Sequence, residues 1–218
     1  MTLALKTARI EKITPRWPAR SDSKARFQVL MQAIETLLAQ CGPSQITIQM
    51  IADEARMPTA TVYHFFPSAE AAMFAQARVY VERFEKMGVE GRTPDERRSW
   101  QQAWRIGMEK GRDVYVANPS CMRLLLGPDM PRDVQTYDSE FNVRLGRTAA
   151  KQLYEYFEVP HIEGLEAACT NAIEICDTFW RLSFDRHGTI TEAFFEESMR
   201  AVLAYLRTYL PETLTPRD

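Results

Sequence analysis

Apolar residues recur at spacings of three and four along nearly the whole chain, and no segment sustains the period-two alternation of a half-buried strand. That periodicity restricts the fold to the all-α class. Pro and Gly then cut the pattern into separate helices. Phe27, Leu30, Met31, Ile34, Leu37 and Leu38 draw one stripe down a first helix, which Gly42-Pro43 stops. Thr47 is placed to N-cap a second helix, Ile48 to Ala55, with Ile48, Ile51, Ala52 and Ala55 on its apolar face. It is only about two turns long. Pro58 disfavours helical geometry at Met57 but suits the first turn of a third helix, roughly Thr59 to Phe66. Pro67-Ser68 ends that one, and Ser68 caps a long fourth helix through Met73, Phe74, Ala77, Val81 and Phe84.

Further along, Thr93-Pro94-Asp95-Glu96 combines an N-cap, a Pro at the first helical position and a reaching Glu. It predicts the start of a fifth helix that runs to Asn118-Pro119. A short segment follows, Ser120 to Leu126, then two long helical patterns, Pro131 to Phe157 and Ile162 to Arg186. A second capping box, Thr189 to Glu192, opens the last helix. The expectation is about nine helices without an internal repeat.

With 45% hydrophobic and 26% charged residues, the chain is too apolar for disorder, and its 218 residues suffice for a core in one or two domains. No run of 18 apolar residues occurs, and the first 20 carry no hydrophobic stretch, so neither a membrane span nor a secretory signal is expected. Cys41, Cys121, Cys169 and Cys176 are widely spaced in a chain too large to need a disulfide framework. The expected compartment is the cytoplasm.

Charge is unevenly distributed. The whole chain carries 27 Lys plus Arg and 29 Asp plus Glu, a net of −2, which excludes a uniformly basic protein. Residues 1–78, however, hold nine basic and six acidic side chains, a net of +3, leaving −5 for the remainder. The excess is sharpest at the start, where Lys6, Arg9, Lys12, Arg16, Arg20, Lys24 and Arg26 face only Glu11 and Asp22. A basic arm of this kind suits polyanion binding, because each cation that neutralises a phosphate releases a counterion. A solvated tail is the alternative reading.

Two short helices joined by a tight turn, after an amphipathic helix and a basic arm, form the arrangement of a helix-turn-helix DNA reader. A recognition helix presents its N-terminal residues to base edges in the major groove, so about two turns suffice. Thr59, Ala60 and Thr61 are small enough for close approach, Val62 and Phe66 are suited to burial against the first helix, and Tyr63 and His64 point outward.

The stretch Thr47-Ile48-Gln49-Met50-Ile51-Ala52-Asp53-Glu54-Ala55, then Pro58-Thr59-Ala60-Thr61-Val62-Tyr63-His64-Phe65-Phe66-Pro67-Ser68 and Glu70, resembles the N-terminal signature of the TetR family of transcriptional regulators. The motif resemblance covers roughly residues 25–74; beyond it only the order and length of the helices are similar. It implies a homodimer that binds a pseudo-palindromic double-stranded DNA operator, most often as a repressor, and releases it when a small-molecule effector binds. It also implies three segments: a basic arm over 1–22, a helix-turn-helix domain over 23–70, and a helical ligand-binding and dimerisation domain over 71–218. Carried over by position, Thr47 caps the second helix and touches a phosphate, Gln49 lies near the groove edge, Thr59, Ala60, Thr61 and His64 face bases, and Tyr63 bonds a phosphate. The chain departs from the family at Arg56, where Gly is usual in the turn, at Ala69, where a Lys is usual, and at Phe65, often His or Tyr. Arg lacks the ease of Gly at positive φ, so either a turn of different shape or a strained one is expected at Arg56. Loss of the Lys removes a phosphate contact, for which Arg56 and the arm, with Arg16, Arg20 and Lys24, can compensate.

In the second half, Trp100, Trp104, Met108 and Tyr115 share one stripe beside Gly107 and Gly111. Ordinary core packing explains such a stripe; a pocket wall is the functional reading, with Met122, Tyr137, Phe141, Phe179 and Trp180 as further lining candidates. Arg105, Asn142 and Arg144 are candidate polar anchors. The effector expected is mostly hydrophobic or aromatic. The last two helices carry more apolar residues than one face needs, and Ile175, Phe179, Phe195, Met199, Val202 and Leu206 are the candidates for a dimer interface.

An enzyme is not expected. The chain shows no phosphate loop, nucleophile elbow or paired-His zinc motif. Pro160 interrupts the helix that a di-iron pair at Glu158 and His161 would need, and His187 is explained by a helix C-terminus. No cofactor, metal or membrane partner is implied. Two alternatives stay open: a thiol-based redox sensor using Cys121 or Cys169, and a protein-interaction module of the same fold with altered or lost DNA binding.

Overall fold

The computed structural model describes residues 14–89, 93 and 95–217, and its described part is helical, with one isolated bridge between Phe157 and Pro216. Nine α-helices occur among the described residues: α1 (Ser21–Gln40), α2 (Ile48–Ala55), α3 (Thr59–Phe65), α4 (Ala69–Val89), α5 (Trp100–Ala117), α6 (Pro119–Leu126), α7 (Arg132–Tyr156), α8 (Leu165–His187) and α9 (Glu192–Leu206). No helix among these residues is long and apolar enough to cross a membrane.

Most boundaries follow the caps. Ser68 Oγ accepts from Ala71 N at 3.2 Å at the start of α4. Gly188, at φ 70° and ψ 7°, closes α8 in the left-handed conformation that glycine adopts without steric cost. One cap acts differently from expectation. Thr93 and Glu96 do form reciprocal bonds, Thr93 N to Glu96 Oε2 at 2.8 Å and Glu96 N to Thr93 Oγ1 at 3.3 Å, yet they close only the 3-10 turn Asp95–Arg97. α5 starts afresh at Trp100, with Ser99 Oγ accepting from Gln102 N.

The contacts divide the chain into two compact units, residues 1–80 with 119–137, and residues 81–118 with 138–218. In the first unit α1 buries Phe27, Leu30, Ile34, Leu37 and Leu38, while α2 contributes Ile51 and Ala52, and α3 Val62 and Phe65. α6 is fixed to α1 by two side chains that reach backbone carbonyls: Ser120 Oγ donates to Glu35 O at 2.8 Å and Arg123 Nη1 to Leu38 O at 2.9 Å. A rigid support therefore backs the two short helices, which alone are too short to be stable in water.

The second unit is built on α5, α7, α8 and α9, and its core includes Trp100, Phe157, Cys176, Trp180 and Phe195. Gly146 lets α7 and α8 approach closely: a Cβ there would lie 2.6 Å from Thr170 N and 2.8 Å from Thr170 Cα. After α9 the chain returns along the ends of α5 and α7. Trp100 Nε1 donates to Pro211 O at 2.9 Å, and Arg217 donates from its backbone N to Tyr156 O at 2.8 Å and from Nε to Phe157 O at 2.9 Å. That guanidinium sits where the α7 dipole favours a cation.

Candidate nucleic-acid interface and effector cavity

Thr47 has extended backbone geometry and its Oγ1 accepts from Met50 N at 3.2 Å, so it caps α2 as its position suggests. Gln49 is exposed, and its Nε2 donates to Asp53 Oδ1 at 2.8 Å one turn on. Arg56 stands at φ 53° and ψ 44°, the one non-glycine residue at positive φ among the described residues. Its backbone N–H and that of Met57 still bond back to Asp53 O and Ala52 O, so the left-handed turn closes α2 and releases Pro58 to start α3. Of the two expectations for Arg56, the turn keeps the left-handed conformation with its cost rather than changing shape, and the residue is exposed.

α3 divides its side chains cleanly. Val62 and Phe65 are 0% and 3% exposed, and Phe66 just beyond is also buried, whereas Tyr63 is 53% exposed. Ala60 and His64 are exposed and Thr59 and Thr61 half-buried, so the positions picked from sequence lie off the core face.

Within the basic arm expected over 1–22, residues 14–20 are described, and they pack against α1 and α3. Pro15 is buried and Arg16 N donates to Phe65 O at 2.8 Å, at the C-terminal end of α3. The Trp17 ring lies 5.1 Å from Phe27, and the Arg78 guanidinium stands 4.8 Å from the Trp17 centroid. Residues 21 and 22 already belong to α1. Proline-rich spacing at Pro15-Arg16-Trp17-Pro18 was the available signal for an ordered segment. Lys6, Arg9 and Lys12 lie outside the described residues. Arg16, Arg20, Lys24, Arg26 and Arg56 are all exposed, and none of them pairs with a carboxylate among the described residues.

The second unit holds a cavity of about 120 Å³ among α4, α5, α7 and α8. Of the nine lining candidates, Trp104, Met108, Tyr115, Phe141 and Trp180 line it. The other four do not. Trp100 is fully buried and tied to Pro211, and Phe179 is half-buried on α8. Met122 and Tyr137 belong to the first unit, where Tyr137 packs edge-on to Phe74 at 5.3 Å. Phe84, from α4, joins the wall against Tyr115 and Phe141 at centroid distances of 4.9 and 6.1 Å. A Cβ at Gly111 would meet the Trp180 ring at 3.7 Å, an ordinary contact, so the ring's place does not depend on glycine there. Trp104, 6% exposed, keeps an indole N–H without an acceptor among the described residues.

Of the three polar anchors considered, only Asn142 reaches the cavity. Arg105 is engaged by Glu109 and Glu196, and Arg144 by Glu85 at 2.9 Å. Sequence reading missed the acidic group behind Asn142. Asn142 Nδ2 donates to Asp177 Oδ2 at 2.8 Å and to Glu174 Oε1 at 3.0 Å, and Arg181 Nη2 lies 3.4 Å from Asp138 Oδ2. Burial, then the neighbouring Asp177, push the Asp138 carboxyl up to about 8; burial also raises Asp177, while Arg181 and Asn142 hold it down. The signal was present: Asp177 interrupts the apolar stripe between Cys176 and Trp180, and Asp138 with Asn142 repeats at one turn on α7.

The dimer candidates separate in the same way. Phe195, Met199, Val202 and Leu206 are each at most 1% exposed within the protomer. Withdrawing any of these side chains from that core would cost roughly 1.5–3 kcal/mol, so they are not free for a partner. Ile175 and Phe179 remain half-exposed on α8, and Leu182 in line with them is 41% exposed. The thiols oppose redox sensing. Burial pushes Cys169 and Cys176 up to about 12, and Cys121 is buried too.

The family model for bacterial regulatory proteins of the tetR family matches residues 30–75. No curated protein sequence matches the chain. Its structure is similar to that of a TetR-family transcriptional regulator from Streptomyces coelicolor, at 22% identity and a TM-score of 0.61 over 86% of this chain and 99% of that one. It is also similar to SmeT, the repressor of the Stenotrophomonas maltophilia multidrug efflux pump SmeDEF, at 13% identity and a TM-score of 0.63 over 88% of this chain and 94% of that one. A third similar structure is the flavonoid-responsive regulator FrrA, at 17% identity and a TM-score of 0.52 over 87% of this chain and 99% of that one. Residues 30–75 thus carry the signature of the tetR family of bacterial regulatory proteins, and the chain around them has the fold of TetR-family transcriptional regulators.

Proposed function

We propose that the protein is a ligand-responsive transcriptional repressor that binds a pseudo-palindromic DNA operator as a homodimer and is released by a small effector with a hydrophobic or aromatic body. The observation that carries this reading is the division of α3, with Val62 and Phe65 buried while Thr59, Ala60, Thr61, Tyr63 and His64 lie off the core face. A helix anchored on one side and small or polar on the other suits entry into a major groove. Thr47, Gln49 and Tyr63 then contact the groove edge and phosphates, and the exposed cations Arg16, Arg20, Lys24 and Arg56 supply sequence-independent attraction.

Release follows from linkage. The cavity includes Phe84 and Met87 near one end of α4, and three residues separate the other end of that helix from α3. An effector that repositions Phe84 and Met87 shifts α4, and with it the spacing of the two reading heads, which operator binding requires near one helical turn of DNA or a multiple. Effector and operator then oppose each other by the same factor in both directions. The stripe of half-exposed Ile175 and Phe179 with exposed Leu182 on α8 is the proposed partner face, through an isologous contact. SmeT is a repressor and FrrA responds to flavonoids; both are likenesses of fold and add only analogy.

The test is a fluorescence-anisotropy titration on an operator selected from a random duplex pool. Tyr63→Phe is expected to weaken binding about equally across sequences, by roughly 0.5–1.5 kcal/mol for a lost hydrogen bond. Thr61→Ala is expected to relax preference at particular base pairs. If both variants bind every sequence as the parent does, α3 is not the reading helix.

A further inference from the structure

We infer that the cavity selects a cationic guest, a small aromatic or alkylammonium ion whose charge sits against Asp177 and whose apolar body is held by Phe84, Trp104, Tyr115, Phe141 and Trp180. The inference rests on the reading of this cavity as the effector site and specifies what it takes. Asp177 lines the cavity and is 6% exposed. Its partners converge on one oxygen: Asn142 Nδ2 at 2.8 Å and Arg181 Nη2 at 3.9 Å both address Oδ2. Oδ1 has no hydrogen-bond donor among the described residues. A carboxylate oxygen in an aromatic-walled cavity without a donor is costly unless something brings a positive charge to it.

The surrounding charges leave that role unfilled. Asp138, 4% exposed, and Asp177 share the guanidinium of Arg181, itself 36% exposed toward solvent, and Glu174 adds a third carboxylate that accepts from Asn142. The other cations nearby are already matched: Arg144 of α7 by Glu85 of α4, and Lys110 of α5, which also lines the cavity, by Glu96 at 3.6 Å. An anionic guest would meet like charge, and a neutral aromatic one would leave Oδ1 bare. A cation satisfies Oδ1 and gains the ring faces as well. At about 120 Å³ the cavity is close to the roughly 150 Å³ that accommodates a single benzene ring, so the guest has one ring or its equivalent.

The experiment compares two probes of the same shape, phenyltrimethylammonium and tert-butylbenzene, by calorimetry and by quenching of the cavity tryptophans in the full chain. The cation is expected to bind at least about tenfold tighter, to gain affinity as Asp177 and Asp138 ionise, from about pH 6 to about pH 8, and to lose about tenfold in Asp177→Asn. tert-Butylbenzene is expected to be flat in pH and unaffected by that substitution. Should Asp177→Asn fail to show a cooperative melting transition, the pH series on the parent chain decides alone. Equal or tighter binding of tert-butylbenzene, or a cation affinity indifferent to pH, would overturn the cation selectivity while leaving the cavity as an effector site. Binding of neither probe would overturn both.

Discussion

Arg56 occupies a backbone conformation that costs an L-residue with a side chain roughly 1–2 kcal/mol, and the fold retains it where glycine would be free of that cost. Arg56→Gly recovers the strain but loosens the unfolded chain by about 0.4–1 kcal/mol, so a net gain of about 1 kcal/mol or less is expected, visible as a melting temperature raised by roughly 2–4 °C. The same substitution should lower the salt slope of operator binding by about one counterion. An unchanged slope would show that the strained cation has no phosphate partner. The acidic cluster makes a second prediction. Because the Asp138 carboxyl is raised from its ordinary 3.8 to about 8, the folded state holds a proton that the unfolded chain has released. The associated stability is therefore fully present below about pH 4 and lost as the pH rises through about 8. Urea midpoints measured from acid to alkaline pH should decline across that window, and Asp138→Asn should flatten the decline. A midpoint that rises toward pH 8 in the parent chain would contradict the assignment.

At the scale of helices, what was legible depended on whether the signal was local. α2 runs over the residues that its cap and period mark, and α4 follows Ser68, because caps and stripes act within one turn. The Thr93–Glu96 box was equally legible as a cap, but a capping box does not specify how long its helix runs, and here it closes a 3-10 turn ahead of Ser99. Lining residues were harder. Trp100 and Trp104 share a stripe, and only tertiary contacts make the first a tie to Pro211 and the second a cavity wall. Gly146 gave no periodic signal at all, yet it sets how closely α7 passes α8. Gly146→Ala places a Cβ against the backbone of Thr170, which cannot swing aside, so a loss of roughly 1–3 kcal/mol is expected in chemical denaturation. Gly107→Ala, on a helix face open to the cavity, should differ little by comparison.

For the whole molecule, the charge pattern was the most readable feature, since a net of +3 on residues 1–78 against −5 on the rest separates the two parts from the amino-acid order alone. The pattern did not reveal that residues 14–20 dock on α3 and on Trp17's neighbours, because that depends on a backbone bond to Phe65 and on the Arg78 guanidinium. Nor did apolar width distinguish core from partner face. Phe195, Met199, Val202 and Leu206 fill the protomer, while Phe179 and Leu182 stay available on α8. Phe179→Asp with Leu182→Glu is expected to give a folded monomer in analytical ultracentrifugation, with operator affinity lowered by at least about tenfold because one head reads half a site. The central claim is that two copies of α3 read a symmetric operator. Selection from a randomised duplex pool with the purified full chain tests it most directly. The account predicts an enriched pseudo-palindrome whose half-site centres are separated by about 10 base pairs or a multiple, and recovery of no sequence, or of a single asymmetric one, would contradict it.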